Sequence, residues 1–156
     1  MEGKTVQESS VVMAQVMTPQ DVNKAGNVQG GVIMRLVDVA AGLVATRHAR
    51  SNVVTASIDR LDFLHPVYVG DVVTMKASLN MAGRTSMEIG VRVETEDPLT
   101  GEIRHVASAY LTFVALDKQG RPKLIPPLTL ATEEEKRRNR EAQARKEVRL
   151  RERQKH

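Results

Sequence analysis

Residues 32–50 (VIMRLVDVAAGLVATRHAR) place apolar side chains at Ile33, Leu36, Val37, Ala40 and Val44, in steps of three and four, which is the period of a helix. The stretch is apolar on nearly every side, and only Arg35 and Asp38 interrupt its first four turns. A helix of that kind has to be wrapped by other structure. Ala40, Ala41, Gly42 and Ala45 are small enough to let a neighbouring backbone come close. Arg47, His48 and Arg50 suit the negative end of the helix dipole.

The chain around this helix is β-rich. Residues 9–17 read as a short strand, stopped by the turn residues Thr18, Pro19, Gln20 and Asp21. Residues 52–64, 72–81, 86–96 and 103–116 read as four longer strands. In the third of these, Met87, Ile89, Val91 and Val93 alternate with Glu88, Gly90, Arg92 and Glu94, the pattern of a half-buried antiparallel strand. Gly83 and Arg84 suit a tight hairpin turn. The predicted order is strand, one long helix, then four antiparallel strands, an α+β sheet curled round the helix. One helix covers one face of the sheet only, so packing predicts a homo-oligomer. Residues 1–8 are polar and are expected to fray.

Pro126 and Pro127 mark the end of the domain, placed at residues 1–130. Thr132 followed by three Glu is a helix start. Residues 131–156 hold ten Lys/Arg and six Glu, which accounts for the whole net charge of +4. This segment has almost no apolar face and reads as a solvated helix held by Glu–Lys/Arg pairs four residues apart. Its removal is expected to leave the activity largely intact. Interleaved Glu and the missing apolar face argue against a nucleic-acid or membrane-binding tail. Aromatics make up only 3% of the 156 residues, which also argues against base stacking.

Several chemistries are excluded by composition. The chain has no Cys, so it holds no disulfide, thiolate metal site or Cys nucleophile. The four His are scattered and lack metal-ligand spacing, so no metal is expected. There is no GxSxG elbow for a Ser nucleophile. No signal peptide and no run of ~18 apolar residues is visible, which predicts a cytoplasmic protein without membrane insertion.

Asp38 is the most informative residue. An unpaired carboxylate in an apolar helix is expensive, so it needs a partner or a purpose. A salt bridge with Arg35, one turn earlier, is one reading. Catalysis is the other, and spacing alone allows both. Gly30 and Gly31 precede the helix, where backbone amides are unsatisfied and carry partial positive charge. They are either a plain helix-start loop or an oxyanion site that glycine leaves open to substrate.

The stretch TPQDVNKAGNVQGGVIMRLVDVAAG resembles the signature of hot-dog acyl-CoA thioesterases of the cytosolic long-chain and bacterial YciA-like group. RHARSNVVTASIDRLDFLHPVYVGDVV, AGRTSMEIGVRVETED and ASAYLTFVALDKQGRPKLIP resemble the same group in order, over roughly residues 10 to 130. The resemblance implies a hot-dog fold and hydrolysis of a fatty acyl-CoA to CoA and a carboxylic acid. It implies no cofactor, since coenzyme A is part of substrate and product. It makes Asp38 catalytic, Asn23 (selected over Asn27 by its fifteen-residue spacing) its partner, and Gly30 the oxyanion amide. It places Gly83, Arg84, Thr85 and Ser86 near the pantetheine and phosphates, although a plain hairpin turn explains those residues too. Asn and Asp of one site come from different subunits or domains in these families, which implies a homodimer or a trimer of dimers. Many relatives carry His or Phe where this chain has Gln29. Thr55 and Ser57 are weaker candidates, because a strand Thr is usually there for β-propensity. Val32, Met34 and Leu36 are candidates for lining the acyl chain. The other reading is an acyl-CoA sensor of the same fold without catalysis, which would need neither Asn23 nor Asp38.

Overall fold

The structure, a computed structural model, describes residues 1–155. It contains β1 (Lys4–Thr5), α1 (Val6–Ser9), β2 (Val11–Val16), a 3-10 turn (Pro19–Asp21), α2 (Gly30–Ala49), β3 (Asn52–Phe63), β4 (Val72–Ala82), β5 (Ser86–Glu96), β6 (Ile103–Leu116), β7 (Leu128–Thr129) and α3 (Glu133–Gln154). Five strands form one antiparallel sheet in the order β2-β4-β5-β6-β3. The sheet curls round α2, which touches all five strands. This is the hot-dog fold that the sequence implied.

The core follows from the alternation in the strands and the period of α2. Met75, Met87, Ile89, Val93 and Leu111 meet Ile33, Leu36, Val37, Ala40 and Val44, all closed to solvent. α2 ends where Arg50 takes a left-handed conformation (φ 51°) and donates its amide to Thr46 O at 2.7 Å. Leu36 belongs to this core, Val32 is half-buried, and Met34 lies on the surface.

Two expectations about the ends need correction. Residues 4–8 are ordered into β1 and the start of α1. Thr5 and Glu8 form a reciprocal cap on α1, and Lys4 Nζ donates to His48 O at 2.8 Å. The charged C-terminal helix is also docked rather than solvated. α3 crosses the outer face of the sheet, and its anchors step across the strands. Asn139 donates to Asn80 O on β4 at 3.0 Å. Arg145 makes two 2.8 Å bonds to the Glu88 carboxylate on β5. The same guanidinium stacks on the Tyr110 ring of β6, 3.7 Å from its centroid. Arg149 pairs with Asp59 on β3. The helix lacks an apolar face, so hydropathy carried no sign of this docking. The predicted pairs four residues apart are also present, as Arg138–Glu134 and Arg137–Glu141.

Two surfaces stay open in one chain. β3 pairs with β6 on one side and, among the described residues, has no partner strand on the other. α2 turns Met34, Val39 and Leu43 outward, and β3 adds Val54, Ile58 and Phe63. The wrapping expected on all sides of α2 is therefore incomplete in a single copy.

Candidate active site

The loop before α2 is built by its own hydrogen bonds. Val22 bridges to Val28, and Asn23 N donates to Asn27 O at 2.8 Å. Gly26 takes φ 89°, where a side chain would be strained, and donates to Asn23 O. The Asn23 Oδ1 accepts from Ala25 N at 2.9 Å and Asn27 N at 3.3 Å. Its oxygen is thus committed to the loop, and its NH₂ is left to donate outward. Gln29 caps α2 without a side-chain cap bond, and its Nε2 reaches Val22 O at 3.4 Å.

Gly30 and Gly31 open the helix, so their amides have no carbonyl within it. A methyl group at Gly30 would meet the Phe63 ring at 3.4 Å, an ordinary contact. Packing therefore does not demand glycine here. Asn23, Gly30, Ile33, Phe63 and His65 line one open cleft of about 360 Å³.

Asp38 lies two turns along α2, half-buried and facing β3. Thr55 Oγ1 donates to its Oδ1 at 2.8 Å. Among the described residues no ion pair joins it to Arg35, so the salt-bridge reading of Asp38 falls away. Thr55 is the residue that sequence reasoning undervalued. β-propensity explains a strand Thr, and only the packing of β3 on α2 shows that its hydroxyl meets Asp38. Ser57 sits two residues on, opposite Thr112.

One chain does not bring all the candidates together. Asp38 is eight residues from Gly30, about 12 Å along the helix axis, too far for both to touch one carbonyl group. Asp38 is also absent from the Asn23–Gly30 cleft. It lies toward the opposite end of the sheet: Thr55 pairs with Phe113, which pairs with Met87. The turn Gly83–Arg84–Thr85–Ser86 is one residue further at that end. There Gly83 N donates to Ser86 O at 2.7 Å, Thr85 O accepts from Ala115 N and Arg84 O accepts from Ile125 N. The backbone of the turn is thus engaged, while Arg84 is exposed. Asn23 and Gly30 form one group; Asp38, Thr55 and the turn form another.

The sequence model of the thioesterase superfamily matches residues 25–102. The acyl-CoA thioester hydrolase YkhA of Bacillus subtilis, itself uncharacterized, is 40% identical over 86% of this chain and 78% of its own. The chain belongs to the thioesterase superfamily. The mouse cytosolic acyl coenzyme A thioester hydrolase is 37% identical over 92% of this chain, which spans only 38% of that longer protein. Among solved structures, a hexameric acyl-CoA thioesterase in its apo form superposes with a TM-score of 0.94 at 40% identity, covering 97% of each chain. An acyl-CoA hydrolase from Staphylococcus aureus, solved with butyryl-CoA and CoA, superposes at 0.90 and 36% identity over 97% of this chain and 93% of its own. That protein has also been solved with Ala in place of an Asn, an Asp and a Thr. There the Asn precedes the Asp by fifteen residues and the Thr follows it by seventeen. Asn23, Asp38 and Thr55 have the same two spacings.

Proposed function

We propose that this member of the superfamily hydrolyses fatty acyl-CoA thioesters to CoA and a carboxylic acid, at a site shared between two copies of the chain. One copy contributes Asp38 and Thr55, and the other contributes Asn23 and Gly30. The Asp38–Thr55 hydrogen bond carries the reading: a carboxylate in an apolar helix is held by a neutral hydroxyl and not by a cation. Among the described residues no cation pairs with it, and its second oxygen has no hydrogen-bond partner.

That free oxygen takes a proton from water as the water oxygen bonds to the thioester carbon. The negative charge passes to the carbonyl oxygen, which the Gly30 amide stabilises at the positive end of α2. Asn23, whose NH₂ can only donate, orients the water or the carbonyl. The intermediate collapses, the C–S bond breaks, and the CoA sulfur takes the proton back from Asp38. Label from H₂¹⁸O appearing in the Asp38 carboxyl after one turnover would mark direct attack by Asp38 instead.

The geometry of one chain supports sharing. Asp38 and Gly30 are about 12 Å apart along α2, and β3 presents a free edge beside an apolar face. A two-fold pairing of β3 edges would cover both. The hexameric solved relative agrees with a further grouping of dimers in threes. Gly83, Arg84, Thr85 and Ser86 stand beside the Asp38 end and would meet the pantetheine and phosphates. No helix of the described residues is long and apolar enough to cross a membrane. The mouse relative is named cytosolic, which supports a cytoplasmic setting here.

The test is CoA release from saturated acyl-CoAs of short to long chain, by the unsubstituted protein and Asp38→Ala. The expected result is turnover that falls at least ~100-fold in the variant. Acyl-CoA binding without turnover by the unsubstituted protein would leave a sensor instead of an enzyme.

A further inference from the structure

Thr55, the partner of Asp38, is carried on an irregular piece of strand. β3 slips against β6 twice, between Thr55 and Ser57 and again between Ile58 and Arg60. Ala56 and Asp59 are the two extra residues, with no partner on β6. Bulges of this kind re-aim side chains and bend a strand, and they hold their shape only if the surroundings fix them. Within a single chain they lie on an edge of the sheet, with a ladder of hydrogen bonds on the β6 side only.

Within the chain, the side-chain contact that holds the second bulge comes from the far side of the sheet. Arg149 of α3 pairs with Asp59, the bulged residue itself. The Asp59 backbone is open at the edge, yet its side chain keeps only 17% of its exposure and that of Arg149 keeps 19%. Arg149 also stands 3.7 Å from Glu88 Oε1. Glu88 is closed to solvent, and Arg145 and Asn80 Nδ2 donate to its carboxylate. The edge strand is thus tied through Arg149 to a shielded carboxylate in the middle of the sheet.

We infer that Arg149 is a positioning residue for the active site: by holding the Asp59 bulge from the outer face, it sets the register of β3 that presents the Thr55 hydroxyl to Asp38. The chain of contacts runs Glu88, Arg149, Asp59, bulge, Thr55, Asp38. The inference rests on the proposed role of Asp38. It gives the charged C-terminal helix a part in turnover, although that helix lies on the face of the sheet opposite α2.

The experiment measures kcat and KM for acyl-CoA hydrolysis by the full-length oligomer with Arg149→Met, Arg149→Lys and Asp59→Asn. The same Arg149→Met change is also made in a Thr55→Val background. A small misplacement of a catalytic group is costly, so kcat should fall on the order of tenfold in Arg149→Met while KM stays within about twofold. Arg149→Lys should restore most of the loss. In the Thr55→Val background Arg149→Met should cost nothing more, because the contact it serves is already gone. If Arg149→Met fails to fold, Asp59→Asn gives the same kcat reading with its side chain volume kept. An unchanged kcat in these variants, or the full loss repeated without Thr55, overturns the inference. An unsubstituted protein that releases no CoA overturns the proposed function together with it.

Discussion

Asp38 keeps one carboxylate oxygen engaged by Thr55 and the other available, and Gly30 keeps an amide free at the start of the same helix. Under the proposed mechanism both groups serve chemistry more than packing. Gly30 makes the point testable. A methyl group there meets only the Phe63 ring at 3.4 Å, and alanine suits a helix start better than glycine does. Gly30→Ala should therefore fold with an unchanged or slightly higher Tm, while kcat/KM falls roughly 100-fold as the methyl keeps the thioester oxygen from the amide. A fully active variant would mean that the oxyanion sits elsewhere. At this scale spacing left Asp38 and Gly30 open between structural and chemical readings, and the family resemblance pointed to them and to Asn23. Thr55 was not legible, because its meaning depends on which strand packs against α2.

At the scale of elements, the strands and α2 were readable from period and alternation, with β5 and β6 placed at their observed bounds. The two ends were misread for a shared physical reason. Both are fixed by polar contacts, which hydropathy cannot report. Glu88 falls on the polar side of β5 and reads as a solvent position, yet α3 closes over it. Removing residues 131–156 would strip Glu88 of both guanidinium partners, so the truncated chain should lose stability, and comparing its Tm and CoA release with the full chain tests whether the tail is dispensable.

His48 is the counterpart at the other end of α2. Its ring is shielded, Nε2–H donates to Pro126 O at 2.7 Å, and Nδ1 has no partner. Burial holds its pKa below the usual 6.5, against the opposing pull of the Pro126 carbonyl. The unfolded chain then binds the proton more readily than the folded one. The stabilisation is complete above about pH 6.5 and is lost as the pH falls toward the folded-state value. Chemical denaturation at a series of pH values checks this. His48→Gln keeps a donor to Pro126 but cannot titrate, and it should flatten the fall below pH 6.5 by up to about 1.4 kcal/mol per pH unit. An identical slope in both proteins would remove His48 from the acid response.

For the whole molecule, the free edge of β3 and the exposed apolar residues of α2 are the surfaces that the proposed two-fold pairing would cover. The sequence predicted oligomerisation from the single covering helix, and the residue groups give that prediction a functional form. Asn23 with Gly30 sits toward one end of the sheet, and Asp38 with Thr55 toward the other. A two-fold axis at the β3 edge would bring one group from each copy together, twice. Activity then belongs to the interface, and no folded monomer should turn over substrate.

Mixing two inactive chains tests this most directly. Asn23→Ala and Asp38→Ala proteins are unfolded together, reassociated at equal concentration and assayed for CoA release, with mixed oligomers confirmed by differential tagging. A shared site gives each mixed dimer one site with both residues intact and one with neither. Random reassociation should then recover about a quarter of the activity of the unsubstituted protein. If mixed oligomers form and CoA release stays at the level of the separate variants, Asn23 and Asp38 act within one chain and the account of the site is wrong.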